Sequence, residues 1–152
     1  RCHNVREDRA LEHVAGYTII NDVSARDWVE HFRRTGNPDL NRAGKQFPGF
    51  TPLGPCIVTR DEIPDPHALT LKTSLNGKLM QDAHTSNLIY RIPELIAYFS
   101  QWYCFEPGDI LTTGSPSGVG FGRKPPVFMK PGDLVEIEVS GVGTLSNPIV
   151  AG

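Results

Sequence analysis

Asp22, Arg26 and Lys45 are residues of this sequence whose types and spacing could do chemistry together. Asp22 follows four residues of high β-propensity, Tyr17 to Ile20, and stands just before a predicted helix. An acidic side chain at the C-terminal end of a strand is a common place to build a ligand site. A carboxylate buried there costs several kcal/mol unless a cation meets it. Three cations could do so: a metal ion, Arg26 four residues on, or Lys45. Asn21-Asp22 could equally do no more than turn the chain, and this stretch alone leaves both readings open.

Three other groupings bear weighing. The stretch Thr113-Gly114-Ser115-Pro116-Ser117-Gly118 combines hydroxyls with glycine-freed backbone N–H groups, which can receive a carboxylate or phosphate or simply make a turn. It lacks the lysine of a phosphate-binding P-loop. Gly118-Val119-Gly120-Phe121-Gly122 has the wrong glycine pattern for a dinucleotide fold and no helix after it. Glu136 and Glu138 would share one face of a strand, as a metal-ligand pair does. With Val135, Ile137 and Val139 on the other face, the same pattern describes an ordinary half-solvated strand. The five histidines show no zinc-ligand spacing, and Ser117 is not in a nucleophile elbow. Of the histidines, His84 lies beside Gln81 and Thr85, just after a predicted hairpin.

The elements that must position these residues are short. A helix is expected over 7–14, with acids in its first turn, ended by Gly16. A strand over 17–22 follows. Ser24 with Asp27 resembles a capping box for a helix over about 25–35, which carries Trp28, Val29 and Phe32, has Arg33 and Arg34 in its last turn, and closes at Gly36. Residues 37–55 show no periodicity, and Phe47, Phe50 and Leu53 argue that this long loop packs and is ordered. Cys56 to Thr59 read as a strand. Leu69 to Leu75 alternate cleanly and meet Asn76-Gly77, a type I′ hairpin signal, before Lys78 to Gln81. Pro93 suits the first turn of a helix running to Trp102. Two Pro-Gly turns, Glu106-Pro107-Gly108-Asp109 and Lys130-Pro131-Gly132-Asp133, should launch strands at Ile110 to Thr113 and Leu134 to Val139. A last strand is expected over about Gly143 to Val150.

Composition agrees with a β-rich α+β protein that has a few short helices. The 152 residues permit one domain, able to bury ~70% of its unfolded surface. A formal net charge of −2, without a basic stripe, argues against nucleic acid and anionic membrane as partners. No apolar run approaches the ~20 residues of a membrane span. Cys2, Cys56 and Cys104 are odd in number and far apart, as expected of free thiols in a reduced, cytoplasmic setting.

Six phrases, met in order along nearly the whole chain, resemble the fumarylacetoacetate hydrolase family. They are Gly16-Tyr17-Thr18 with Asn21 to Asp27; Gly44-Lys45-Gln46-Phe47 with Pro52 to Pro55; Asn76-Gly77 with Gln81-Asp82 and Thr85-Ser86; Ile92 to Ile96; Glu106 to Ile110; and Thr113 to Pro116. The acylpyruvase and 2-hydroxyhepta-2,4-diene-1,7-dioate isomerase branch is the nearest in kind. The resemblance implies a mixed β-sandwich roll, a homodimer, and one divalent ion, Mg²⁺ with Mn²⁺ or Ca²⁺ as alternatives. It implies a single catalytic domain over residues 1–152 that lacks the family's N-terminal strands.

By the same resemblance, Asp22 is a metal ligand whose Glu-x-Glu partners, like the family's lid acid or base, are expected upstream of residue 1. Lys45 matches a catalytic lysine beside the metal, Arg26 a substrate- or loop-ordering arginine, and Gly114 and Ser115 a Gly-Thr pair that receives the substrate carboxylate. Gln46-Phe47-Pro48 departs from the family's usual polar residue, Phe and Asp. The activity implied is hydrolysis of a C–C bond in an acylpyruvate-like keto acid through a metal-stabilised enolate. The alternatives are isomerisation or decarboxylation of the 2-hydroxyhepta-2,4-diene-1,7-dioate type in aromatic catabolism, or a non-catalytic small-molecule-binding domain that has lost its metal site.

Overall fold

The structure, a computed structural model, describes residues 1–37 and 43–151, with the side chains of residues 32 and 33 outside the described set. The placements expected for the Phe32 and Arg33 side chains, and the part of the long loop over 38–42, lie outside the described residues.

Among the described residues, six strands form two antiparallel sheets. β1 (Gly16–Ile20) pairs with β2 (Leu53–Thr59). The larger sheet has the order β4-β3-β5-β6, built from β3 (Thr70–Leu75), β4 (Lys78–His84), β5 (Leu134–Val139) and β6 (Gly143–Pro148). The alternation over residues 134–139 is the reason for the layering. Val135, Ile137 and Val139 are buried, and with Ile19, Val142 and Leu145 they fill the core between the two sheets. Pro55 packs on Gly143, and Leu145 on Gly54, where the small sheet crosses β6. A second, smaller core joins Cys2, Ala10 and Ile96, clamping a 3-10 helix (Glu7–His13) to helix α2 (Ile92–Phe99). Helix α1 (Arg26–Thr35) ends at Gly36, whose φ of 69° is the left-handed geometry of a helix C-terminus.

The hairpin is of the expected kind: Leu75 faces Lys78, and Asn76 and Gly77 both have positive φ, 52° and 76°. Both Pro-Gly turns close alike. Asp109 Oδ2 accepts the Glu106 N–H at 2.8 Å, and Asp133 Oδ2 accepts the Lys130 N–H at 2.8 Å.

Several expectations need correction. Ile110 to Thr113 form no strand, because no backbone ladder partner lies beside them among the described residues, and high propensity alone does not make a sheet. The first helix is 3-10, with Val14 N–H on the Leu11 carbonyl at 3.2 Å. Helix α2 stops at Phe99, where the fully buried Ser100 caps it and its hydroxyl accepts the Val5 N–H at 3.0 Å. Ser24 does not cap α1. Its hydroxyl donates to the Asp22 carbonyl at 3.3 Å, and the helix begins at Arg26. Leu53 is exposed rather than packed, because it belongs to the outer sheet as the first residue of β2.

Candidate active site

Two bulges shape the site. Between β1 and β2 the register slips after Tyr17, where Thr18 alone faces Pro55, Cys56 and Ile57, and the Thr18 hydroxyl donates to the Cys56 carbonyl at 2.8 Å. These extra β2 residues twist the pair next to the strand end that carries Asn21 and Asp22. Asn21 is buried and its amide donates to Asn147 Oδ1 at 3.1 Å, so it ties β1 to β6 and is structural. Its neighbour Asp22 lines the cavity.

The segment around Lys45 is zipped to this strand end. Ala25 N–H donates to the Gly44 carbonyl at 2.8 Å, and Asn21 N–H to the Pro52 carbonyl at 3.1 Å. Trp28, Phe47 and Phe50 stack edge-to-face with centroids 5.4 Å apart, so Phe47 and Phe50 order the loop as expected. The Lys45 ammonium therefore lands on Asp22 Oδ2 in an ion pair. The two side chains are 42% and 39% exposed, open enough for exchange with a ligand. Of the two side-chain cations that the sequence offers Asp22, Lys45 is the one in contact. Arg26 lies instead over the ring of Phe121, 5.1 Å from its centroid.

Asp22, Arg26, Phe47, Gly114, Ser115 and Phe121 all line one trough of about 1930 Å³. The structure thus brings the strand end at Asp22 and the Gly114-Ser115 loop to one cavity, and Lys45 reaches it through Asp22. Gly114 has a φ of 91°, which side chains rarely adopt, and Ser115 is exposed.

The second bulge, in β4, was not visible in the sequence. The register shifts between Thr73 and Ser74 so that Met80 is unpaired. Its carbonyl accepts from Arg123, whose Nε also donates to the Gly118 carbonyl at 3.1 Å. Gln81 Nε2 donates to the Pro116 carbonyl at 2.9 Å. Gln81 and Phe121 line the trough and Arg123 braces the loop beside it, and no local motif marks Arg123.

The remaining candidates make contacts apart from the Asp22–Lys45 pair. Glu136 and Glu138 stand on the solvated side of β5, Glu136 beside the Ser74 hydroxyl at 3.5 Å and Glu138 in register with Lys72. His84 turns inward to its own segment, its Nδ1 2.7 Å from the Ser86 hydroxyl. The buried His67 accepts the Ile92 N–H on Nε2 at 3.2 Å, which pins the start of α2. Cys2, Cys56 and Cys104 are free thiols, and burial pushes the Cys2 thiol up.

Among the described residues no three His, Cys, Asp or Glu side chains gather in one place. Asp22 is a fitting single oxygen ligand, but these residues do not by themselves make a metal site.

The chain matches known proteins along its whole described length. The model of the fumarylacetoacetate (FAA) hydrolase C-terminal domain covers residues 1–150. A mitochondrial oxaloacetate tautomerase of Xenopus laevis is 46% identical over 97% of this chain and 45% of its own length. The fumarylacetoacetate hydrolase of Exiguobacterium antarcticum superposes with a TM-score of 0.89 at 38% identity, over 99% of this chain and 52% of that one. The fumarylpyruvate hydrolase of Pseudomonas aeruginosa, solved in complex with Mn²⁺ and pyruvate, superposes with a TM-score of 0.88 at 26% identity, over 99% of this chain and 60% of that one. The chain thus spans about half the length of the curated relatives it matches. With its order of phrases, its two-sheet fold and its matched length in agreement, the chain belongs to the fumarylacetoacetate hydrolase family.

Proposed function

We propose that this chain is part of a divalent-metal-dependent enzyme that hydrolyses a C–C bond in an acylpyruvate-like dioxo acid. The observation that carries the reading is the convergence of the Asp22–Lys45 pair and the Gly114-Ser115 loop on one trough, in a chain of this family. A carboxylate and an ammonium side by side, opposite a loop of hydroxyl and free backbone, suit a small anionic oxo acid.

Asp22 would be one ligand of the ion, with the other carboxylates supplied from outside these residues. When bound, such an ion polarises carbonyl oxygens as a Lewis acid. Gly114 and Ser115 hold the substrate carboxylate by backbone N–H and hydroxyl. Water adds to the distal acyl carbonyl, the adjacent C–C bond breaks, and its electron pair passes to the pyruvate fragment as an enolate. Lys45 places a positive charge where that negative charge develops. Protonation of the enolate carbon releases pyruvate, and the acyl part leaves as a carboxylic acid. Arg26 stays stacked on Phe121 and presents its guanidinium to the far end of the substrate.

A second reading is keto–enol tautomerisation of oxaloacetate, favoured by the name of the Xenopus laevis relative. It uses the same enolate and breaks no C–C bond. The experiment follows the enol absorbance of a simple acylpyruvate on the full-length natural protein, with Mg²⁺, with chelator, and with Asp22→Ala. Loss of absorbance with pyruvate appearing, dependent on metal and on Asp22, is expected. Enol loss without pyruvate would select the tautomerase. No metal-dependent change on any acylpyruvate or on oxaloacetate would leave a binding domain.

A further inference from the structure

Gln81 and Arg123 hold no role in the reaction described above, yet both end on the loop that begins at Gly114. Gln81 Nε2 donates to the carbonyls of Pro116 and Ser117, at 2.9 and 3.4 Å. Arg123 bridges two elements: Nε donates to the Gly118 carbonyl at 3.1 Å, and a terminal nitrogen donates to the carbonyl freed by the bulge at Met80. Gly118 has a φ of 96° and lies so close to β4 that a Cβ would collide with the same Met80 oxygen. Three consecutive carbonyls are therefore drawn towards two side-chain donors.

A trans peptide is planar, with its N–H antiparallel to its C=O. Fixing the carbonyls of 116, 117 and 118 turns the N–H groups of Ser117, Gly118 and Val119 away from Gln81 and Arg123. Among the described residues none of these three N–H groups has a hydrogen-bond acceptor. Gly118 and Val119 line the trough that also holds Gly114 and Ser115. Successive free N–H groups in a turn containing one left-handed residue form an anion-receiving concavity.

We propose that Gln81 and Arg123 are positioning residues that hold this loop so that the N–H groups of Gly118 and Val119, together with Gly114 and Ser115, receive the carboxylate of a 2-oxo acid. This rests on the reading of the trough as a 2-oxo acid site. The guanidinium matters for its fork, which reaches two carbonyls on different elements at once; a lysine would reach one.

The test uses steady-state kinetics of the full-length natural protein on an acylpyruvate, with the divalent ion supplied. Holding a carboxylate that does not react binds ground and transition states alike, so the loss falls on KM. Arg123→Ala is expected to raise KM about tenfold or more, with kcat changed by less than about threefold, and millimolar guanidinium is expected to restore KM. Gln81→Ala is expected to raise KM in the same direction without cutting the Arg123 bridge, and it carries the test alone if Arg123→Ala does not fold. Wild-type KM in both variants would overturn the proposal. A fall in kcat at unchanged KM, or a KM rise in Arg123→Ala that guanidinium does not reverse, would overturn it too. If the wild-type protein neither turns over an acylpyruvate nor binds pyruvate, the reading of the trough fails and the clamp with it. An active wild type whose variants keep its KM would overturn the clamp alone.

Discussion

Lys45 pairs with Asp22 across 23 residues of sequence, and neither side chain is buried. The pair is held from behind by backbone bonds from Ala25 and Asn21 to the loop that carries Lys45. A half-exposed pair of this kind adds little to stability by itself, on the order of 0–1 kcal/mol.

The chemical role of Lys45 should therefore separate from its structural one. Lys45→Ala is expected to leave the thermal midpoint nearly unchanged while lowering kcat on an acylpyruvate by about 10²–10³-fold, as loss of a charge that meets a developing anion does. Thermal melts and steady-state rates on the full-length natural protein check this. A large drop in midpoint with kcat intact would assign the lysine to the fold.

Glu136 and Glu138 offer a contrast. Their i, i+2 spacing allowed a metal-ligand pair or an ordinary half-solvated strand, and in the fold they stand on the solvated side of β5, in register with Ser74 and Lys72. Glu136→Gln with Glu138→Gln is expected to keep metal affinity, measured by calorimetry with Mn²⁺, within about twofold of wild type, since removing a true carboxylate ligand weakens binding far more. Asp22→Asn in the same assay is expected to weaken it at least tenfold, by about 1.4 kcal/mol or more.

Acid stability should report on the turn that starts β5. Asn76 Nδ2 donates to Asp133 Oδ1 at 2.8 Å, and Leu134 N–H donates back to Asn76 Oδ1 at 2.8 Å. The Asn76 amide, followed by the Lys130 N–H, holds the Asp133 carboxyl below its ordinary value. Because the folded value is the lower one, its stabilisation is complete above the unfolded carboxylate value near ~3.9 and is lost as pH falls through the folded value. The gap in urea midpoint between wild type and Asp133→Asn should be open at neutral pH and close below about pH 4. A gap that stays constant down to the acid limit would show that this carboxyl is not depressed.

The layer between the sheets should be sensitive to volume. Ile137 is 6% exposed and packs among Ile19, Leu145 and their neighbours. Ile137→Ala is expected to cost about 2–5 kcal/mol by denaturant unfolding. The exposed Ile57, at 72%, should cost far less on the same substitution.

Some of this protein is written locally. The Asn76-Gly77 hairpin, the strand Leu134–Val139 and the two Pro-Gly-Asp turns follow from residues within a few positions of one another, where backbone preference and period-two burial act directly. The ordered phrases around Asp22, Lys45 and Gly114-Ser115 likewise pointed to the family and to the residues that share the trough. Only the tertiary structure decided which side-chain cation meets Asp22, that Arg26 stacks on Phe121, and that Ile110 to Thr113 stay out of the sheet. It also decided the clamp of Gln81 and Arg123, whose hydrogen bonds to Pro116 and Met80 span 35 and 43 residues. Those contacts depend on a bulge and on how two layers pack. Both are set by the free energy of the whole core, and no short window of residues carries that information.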